Sequence, residues 1–203
     1  MNALRNRLIA VALALTASLT LQACGQGGES HGQAASSGQA QVGGPFQLVD
    51  QDGRAVDQRL LDGKWSAVFF GYTYCPDVCP TTLQILAQAK ARLGAQAKDF
   101  QVVFVSIDPD RDTPAQLKIY LSTPSFPHPT VGLTGSAVQV AAMAKAYRVY
   151  YAKEGAGDGY AMAHSSIVYL MNPKGQLDSV LSEGQTPEQF AAQIGNAVRK
   201  GAT

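Results

Sequence analysis

The run Ser66-Ala67-Val68-Phe69-Phe70-Gly71 constrains the fold more than any other stretch of this chain. It lacks the polar alternation of a strand with one wet face, so it reads as a strand buried on both faces. Such a strand belongs in a sheet covered by helices on both sides. Gln101 to Ile107, with Val102, Val103, Phe104 and Val105, is a second of the same type. Between the two, Pro80 to Leu93 is helical, with Leu83, Leu86, Ala87 and Leu93 on one side and Gly94 as its stop.

The remaining elements follow from local signals. Phe46-Gln47-Leu48-Val49 and the Asp52-Gly53 turn predict a short hairpin leading toward Trp65. Thr113-Pro114-Ala115-Gln116 starts another helix, with Thr113 as N-cap, Pro114 in the first helical position and Gln116 placed for a capping box. Ser136 to Tyr147 is a third helix. After a Gly-rich interruption at 155–159, Ser166 to Met171 and Leu177 to Leu181 form a hairpin about Asn172-Pro173-Lys174-Gly175. Thr186-Pro187-Glu188 caps a last helix to Arg199. Strands alternating with helices, then a hairpin and a closing helix, specify an α/β domain.

The first 44 residues are of another kind. Arg5 and Arg7 precede an apolar run from Leu8 to Leu21, and Leu21-Gln22-Ala23 leads into Cys24. This is a secretory signal over residues 1–23, too short for a comfortable membrane span. Leu-x-Ala-Cys resembles a bacterial lipobox, in which Cys24 becomes the lipidated first residue. An uncleaved anchor or ordinary signal-peptidase cleavage is the alternative, and either would still export the domain. Gly25 to Gly44, rich in Gly, Ser, Gln and Ala, reads as a tether with a reach of roughly 25 Å. His31 within it reads as solvated. The folded domain then occupies residues 45–203. Without the signal, 14 basic residues face 15 acidic ones, and no basic stripe supports nucleic-acid binding.

Chemistry centres on Cys75 and Cys79 in Cys75-Pro76-Asp77-Val78-Cys79-Pro80, between the first buried strand and the helix. Both precede proline and are biased away from helical angles, which places Cys79 at the N-cap and Pro80 at the first helical position. A helix N-terminus favours thiolate over thiol, which both metal binding and disulfide exchange require. Two thiols in an exported domain can close an inert disulfide, exchange electrons with another thiol pair, or hold a soft metal. A bridge over so small a loop adds little stability. If the Ser166–Met171 strand pairs antiparallel beside the Val68–Phe70 strand, His164 lies next to the end where Cys75 emerges. Two sulfurs and an imidazole suit Cu(I), and Cu(II) with a further oxygen ligand.

Three segments then carry a resemblance: Gly71 to Pro80, Ser106-Ile107-Asp108-Pro109-Asp110-Arg111-Asp112-Thr113-Pro114, and Tyr160-Ala161-Met162-Ala163-His164-Ser165. In order, they resemble the three signatures of the Sco (SenC) family, and the similarity covers roughly Gly44 to Arg199. The resemblance implies a thioredoxin-like fold, with a central mixed sheet flanked by helices and an N-terminal hairpin extension. It implies copper, as Cu(I) and/or Cu(II), bound through Cys75, Cys79 and His164, and a role in building the binuclear copper centre of cytochrome c oxidase. The implied partners are the copper-acceptor subunit of that oxidase, other copper chaperones or thiol reductants, and a membrane reached through the lipid on Cys24. The implied location is a periplasm-facing, membrane-anchored lipoprotein.

Other readings stay open. A thiol–disulfide oxidoreductase would use Cys75 and Cys79 as a redox-active, disulfide-forming pair that keeps an acceptor's cysteines reduced before metallation. Three residues between the cysteines instead of two, and His164 where thioredoxin-like enzymes show proline, speak against a general reductase. A peroxidase ranks third. Structural zinc lacks a fourth ligand. Asp108 and Asp112 are expected to organise a turn and helix start, with Arg111 solvated. Met162 is expected to pack, and His128 to sit in an exposed loop.

Overall fold

The computed structural model describes residues 41–201. The signal peptide, Cys24, His31 and the tether up to residue 40 lie outside the described residues. The chain runs β1 (Gln47–Asp50), β2 (Ala55–Asp57), β3 (Trp65–Gly71), α1 (Val78–Arg92), β4 (Phe100–Ser106), α2 (Pro114–Leu121), β5 (Thr130–Thr134), α3 (Ala137–Tyr147), β6 (Tyr151–Glu154), β7 (Ala161–His164), β8 (Val168–Met171), β9 (Leu177–Leu181) and α4 (Pro187–Gly201). Short 3-10 turns occupy Gln58–Leu61, Gly94–Asp99 and Gly157–Gly159. Among the described residues no helix is long and apolar enough to cross a membrane.

Seven strands form one mixed sheet in the order β2-β1-β5-β4-β3-β8-β9. The two apolar runs, β3 and β4, pair in parallel at its centre from Trp65↔Phe100 to Gly71↔Ser106. Every residue of both strands is buried, as continuous apolar patterning requires. β8 lies antiparallel on the other side of β3, pairing Phe69 with Val168, as the sequence argument supposed. The N-terminal hairpin β1–β2 is not a free extension: β1 pairs antiparallel with β5 and continues the main sheet.

Helices cover both faces. On one, Phe69 meets Phe104 and Phe104 meets Tyr120 of α2, while Trp65 lies against Gly201 at the end of α4. On the other, Tyr147 of α3 packs against Phe70 and Tyr169. The helix ends follow their local chemistry. Thr113 accepts from the Gln116 amide, Ser136 and Gln139 form a full capping box, and the Thr186 hydroxyl accepts from the Gln189 amide. For α2 only the threonine half of the expected box is present.

Two expectations change. Helix α1 begins at Val78 with Asp77 in the cap position, so Cys79 stands inside the first turn instead of capping it. Pro80 is tolerated at the third helical position because amides of the first turn have no intrahelical acceptor to lose. Also, the last hairpin starts at Val168, and Ser166 and Ile167 are not strand. His164 instead ends β7, which pairs with β6 in a separate two-stranded sheet, and residues 155–159 are the turn between them.

Candidate metal centre

Gly71 ends β3, and the chain turns through Tyr72–Asp77 into α1. The turn is fastened from below by a single buried carboxylate. Asp112, at 0 % exposure, accepts from the Thr73 amide at 3.0 Å, the Thr73 hydroxyl at 2.6 Å and the Ser106 hydroxyl at 2.7 Å. Burial pushes the Asp112 carboxyl up, against the opposing pull of the Thr73 and Ser106 donors. The expected turn-organising role of Asp112 therefore holds, but the turn it organises is the cysteine loop.

Cys75 is half-buried and Cys79 fully buried, and both are free thiols. The Cys79 amide, in the first turn of α1, points at the Cys75 sulfur at 3.4 Å. The thiolate-stabilising position at the helix start thus falls to Cys75. Hydrogen bonding from Cys79 holds the Cys75 thiol well below the ordinary range even though burial opposes it. The same pairing, with burial, pushes Cys79 up. Iodoacetamide at pH 6 should therefore alkylate Cys75 in the reduced protein and leave Cys79 untouched, as read by peptide mass spectrometry. Labelling of Cys79 first would contradict this assignment.

The third donor arrives from β7. His164 Nε2 lies 3.5 Å from Cys79 Sγ. Its Nδ1 lies 3.0 Å from the Ser165 carbonyl, which can only accept, so Nδ1 carries a proton and Nε2 is the nitrogen that faces the sulfurs. Tyr72 and Phe69 hold the ring edge-on, with centroids 5.9 and 6.3 Å away. Burial pulls the imidazole pKa down, but Cys75 and the Ser165 carbonyl outweigh it and the net shift is upward. The two sulfurs and the imidazole nitrogen all lie within 4.8 Å of one another. Ligand bonds of about 2.0–2.3 Å in a trigonal arrangement place donors about 4 Å apart, so the triangle fits one soft ion with only small adjustment.

The triangle opens onto a cavity of about 270 Å³ whose walls include Tyr72, Cys75, Asp77, Met162, His164 and Glu183. Cys79 forms no part of that lining. Met162 is 9 % exposed and packs into the core cluster, as expected. His128 sits in an exposed loop, its ring bonded to the Thr123 carbonyl. Arg111 is the correction. Its side chain is 15 % exposed, not solvated, and is ion-paired to Asp108. Tyr72 carries no role in the sequence reading because it acts through His164, which is distant in the chain.

Residues 34–199 match the SCO1/SenC family model. The chain belongs to the SCO1/SenC family. This family member is 42% identical over 141 residues to Protein SCO1 homolog 1, mitochondrial, of Arabidopsis thaliana, a match that spans 68% of this chain and 42% of that protein. Among solved structures it resembles Bradyrhizobium japonicum ScoI with copper bound, at TM-score 0.70 and 44% identity over 76% of this chain and 98% of that one. It also resembles BsSco, a member of the Sco family of cytochrome c oxidase assembly proteins in which a disulfide switch has been identified. There the TM-score is 0.64 and the identity 25%, over 80% and 95% of the two chains. The mixed sheet with helices on both faces is the thioredoxin-like fold of these relatives.

Proposed function

We propose that this protein binds one copper ion through Cys75, Cys79 and His164 and takes part in assembling the binuclear copper centre of cytochrome c oxidase. The observation that carries the reading is the convergence of two sulfurs and one imidazole nitrogen on a single point. Copper here is cargo. The half-buried Cys75 and His164 face the open cavity, so a thiol of the acceptor subunit can enter and take the ion by ligand exchange. The copper-bound relative at 44% identity supports the choice of metal, and the name given to BsSco supports the destination.

The proposal extends to the N-terminal region. Arg5, Arg7 and the apolar run to Leu21 export the chain, lipidation of Cys24 anchors it, and the residues from 25 up to Val42, which packs on the core, tether the domain at the periplasmic face of a membrane. That position places the domain where an oxidase subunit presents its copper site.

The test is an anaerobic Cu(I) titration of the reduced protein against a competing chelator, with His164→Ala alongside. One-to-one binding that weakens by on the order of 10²-fold in the variant is the expected result. Binding indifferent to His164 would overturn the trigonal site. One observation favours a second reading as a thiol–disulfide oxidoreductase: the low-pKa sulfur of Cys75 is accessible while Cys79 waits behind it, as attacking and resolving thiols do. A His164→Ala strain that lost copper yet kept full oxidase assembly would favour that reading.

A further inference from the structure

The hairpin that carries His164 shares no ladder hydrogen bond with the main sheet; β6 and β7 pair only with each other. Its position over the cysteine loop therefore depends on side chains. Met162 of β7 packs into the core cluster and its backbone is hydrogen-bonded to Tyr72, and the acidic segment after β4 supplies the other contacts. Arg111 Nε pairs with Asp108 Oδ2 at 2.5 Å, and Asp108, 2 % exposed, accepts the Tyr160 hydroxyl on Oδ1 at 2.6 Å. Arg111 Nη1 donates to the Tyr160 carbonyl at 3.0 Å and reaches the Asp158 carbonyl at 3.5 Å. The guanidinium lies 3.6 Å from the Tyr160 ring centre, 4.7 Å from that of Tyr74 and 5.8 Å from that of Tyr72. Tyr160 immediately precedes β7. Tyr72 and Tyr74 belong to the cysteine loop, and Tyr72 touches the His164 ring.

We propose that Arg111, braced by Asp108 and Tyr160, is a positioning residue that locks the β6–β7 hairpin against the cysteine loop and so sets His164 at bonding distance from the two sulfurs. One planar cation meets both segments at once: carbonyls of the hairpin along its edge and tyrosine rings of hairpin and loop around it. Asp108 fixes the cation from the rigid end of β4. Without the cation, the dithiol stays in place through Asp112 and α1, while the imidazole loses its register. This inference rests on the copper reading for its affinity consequence, but not for its mechanical one.

The test pairs Arg111→Met, which keeps the apolar stem, with His164→Ala in the full-length reduced chain in detergent. Amide hydrogen exchange of residues 151–164 in the copper-free protein should quicken about tenfold in Arg111→Met, with α4 unchanged. Cu(I) affinity should fall about tenfold when His164 is present, and Arg111→Met should add no loss in the His164→Ala background. Tyr160→Phe, which removes only the hydroxyl given to Asp108, should move both readouts the same way by less. Unchanged exchange in the hairpin, or equal affinity loss in both backgrounds, would overturn the proposal. Absence of Cu(I) binding in the unmodified chain would overturn the copper reading alone, and the exchange measurement would then decide the role of Arg111.

Discussion

Serine at position 75 or 79 is expected to abolish stoichiometric Cu(I) binding by the reduced protein. A hydroxyl at neutral pH keeps its proton and offers a hard oxygen where the site offers soft sulfur. Binding energies of about 10–16 kcal/mol in four-ligand structural sites amount to about 2.5–4 kcal/mol per ligand, or on the order of 10²- to 10³-fold for each thiolate lost. The fold should survive, since serine is nearly the same size and the Cys75 and Cys79 sulfurs bridge nothing covalent in this structure. The pair of measurements is a chelator competition for affinity and a urea midpoint for stability. Retained tight binding in either variant would remove the trigonal site from consideration.

Gly71→Ala should be the more damaging change to the fold. A methyl carbon at this position would lie 2.7 Å from the Cys79 sulfur and 2.9 Å from Phe104 Cε2, inside any normal contact distance. Phe104 is fully buried and edge-packed against Phe69, so it has no free direction in which to yield. Overpacking of this kind costs about 1–3 kcal/mol, visible as a lowered midpoint in urea unfolding. The sulfur is the other atom that must move, so the variant should also bind Cu(I) more weakly than its loss of stability explains. A variant with unchanged midpoint and affinity would mean that β3 relaxes more easily than its packing implies. The glycine is there for closeness, because the first turn of α1 lies directly on the end of the strand.

What the sequence made legible was the part written in local chemistry. The two apolar runs emerged as the central parallel strands, and the antiparallel neighbour of β3 could be supposed from the final hairpin. Threonine caps at 113 and 186 and the turn at Asn172–Gly175 appeared where Thr, Pro, Asn and Gly predicted them. Strand β5 escaped notice because Gly132 interrupts its pattern. That glycine is needed where a methyl would come within 2.5 Å of Leu121 Cδ1 from α2, a contact that only the folded chain reveals. The β6–β7 hairpin was hidden for a related reason: its strands are short and half exposed, with no apolar run to announce them. The metal-binding residues were found, yet the start of α1 was placed two residues late, because the bias imposed by Pro80 gives way when its missing amide costs nothing. Arg111 is buried where the sequence predicts a solvated side chain because, Asp108 apart, its partners stand about 40 to 50 residues away, and burial of a cation beneath tyrosine rings leaves no mark in the adjacent sequence.

The three donors are also unevenly distributed along the chain. Cys75 and Cys79 are neighbours in sequence, whereas Cys79 and His164 are 85 residues apart. An unfolded chain therefore presents two sulfurs to copper at once, but the nitrogen joins only after β8 has docked on β3 and the β6–β7 hairpin has closed. Full affinity arrives at the end of maturation, and an ion bound at full strength in turn favours the finished state, by about 2.7 kcal/mol when free copper is a hundredfold above its dissociation constant. Copper binding thus reports on folding: a half-folded copy holds copper loosely and forfeits it to any finished neighbour.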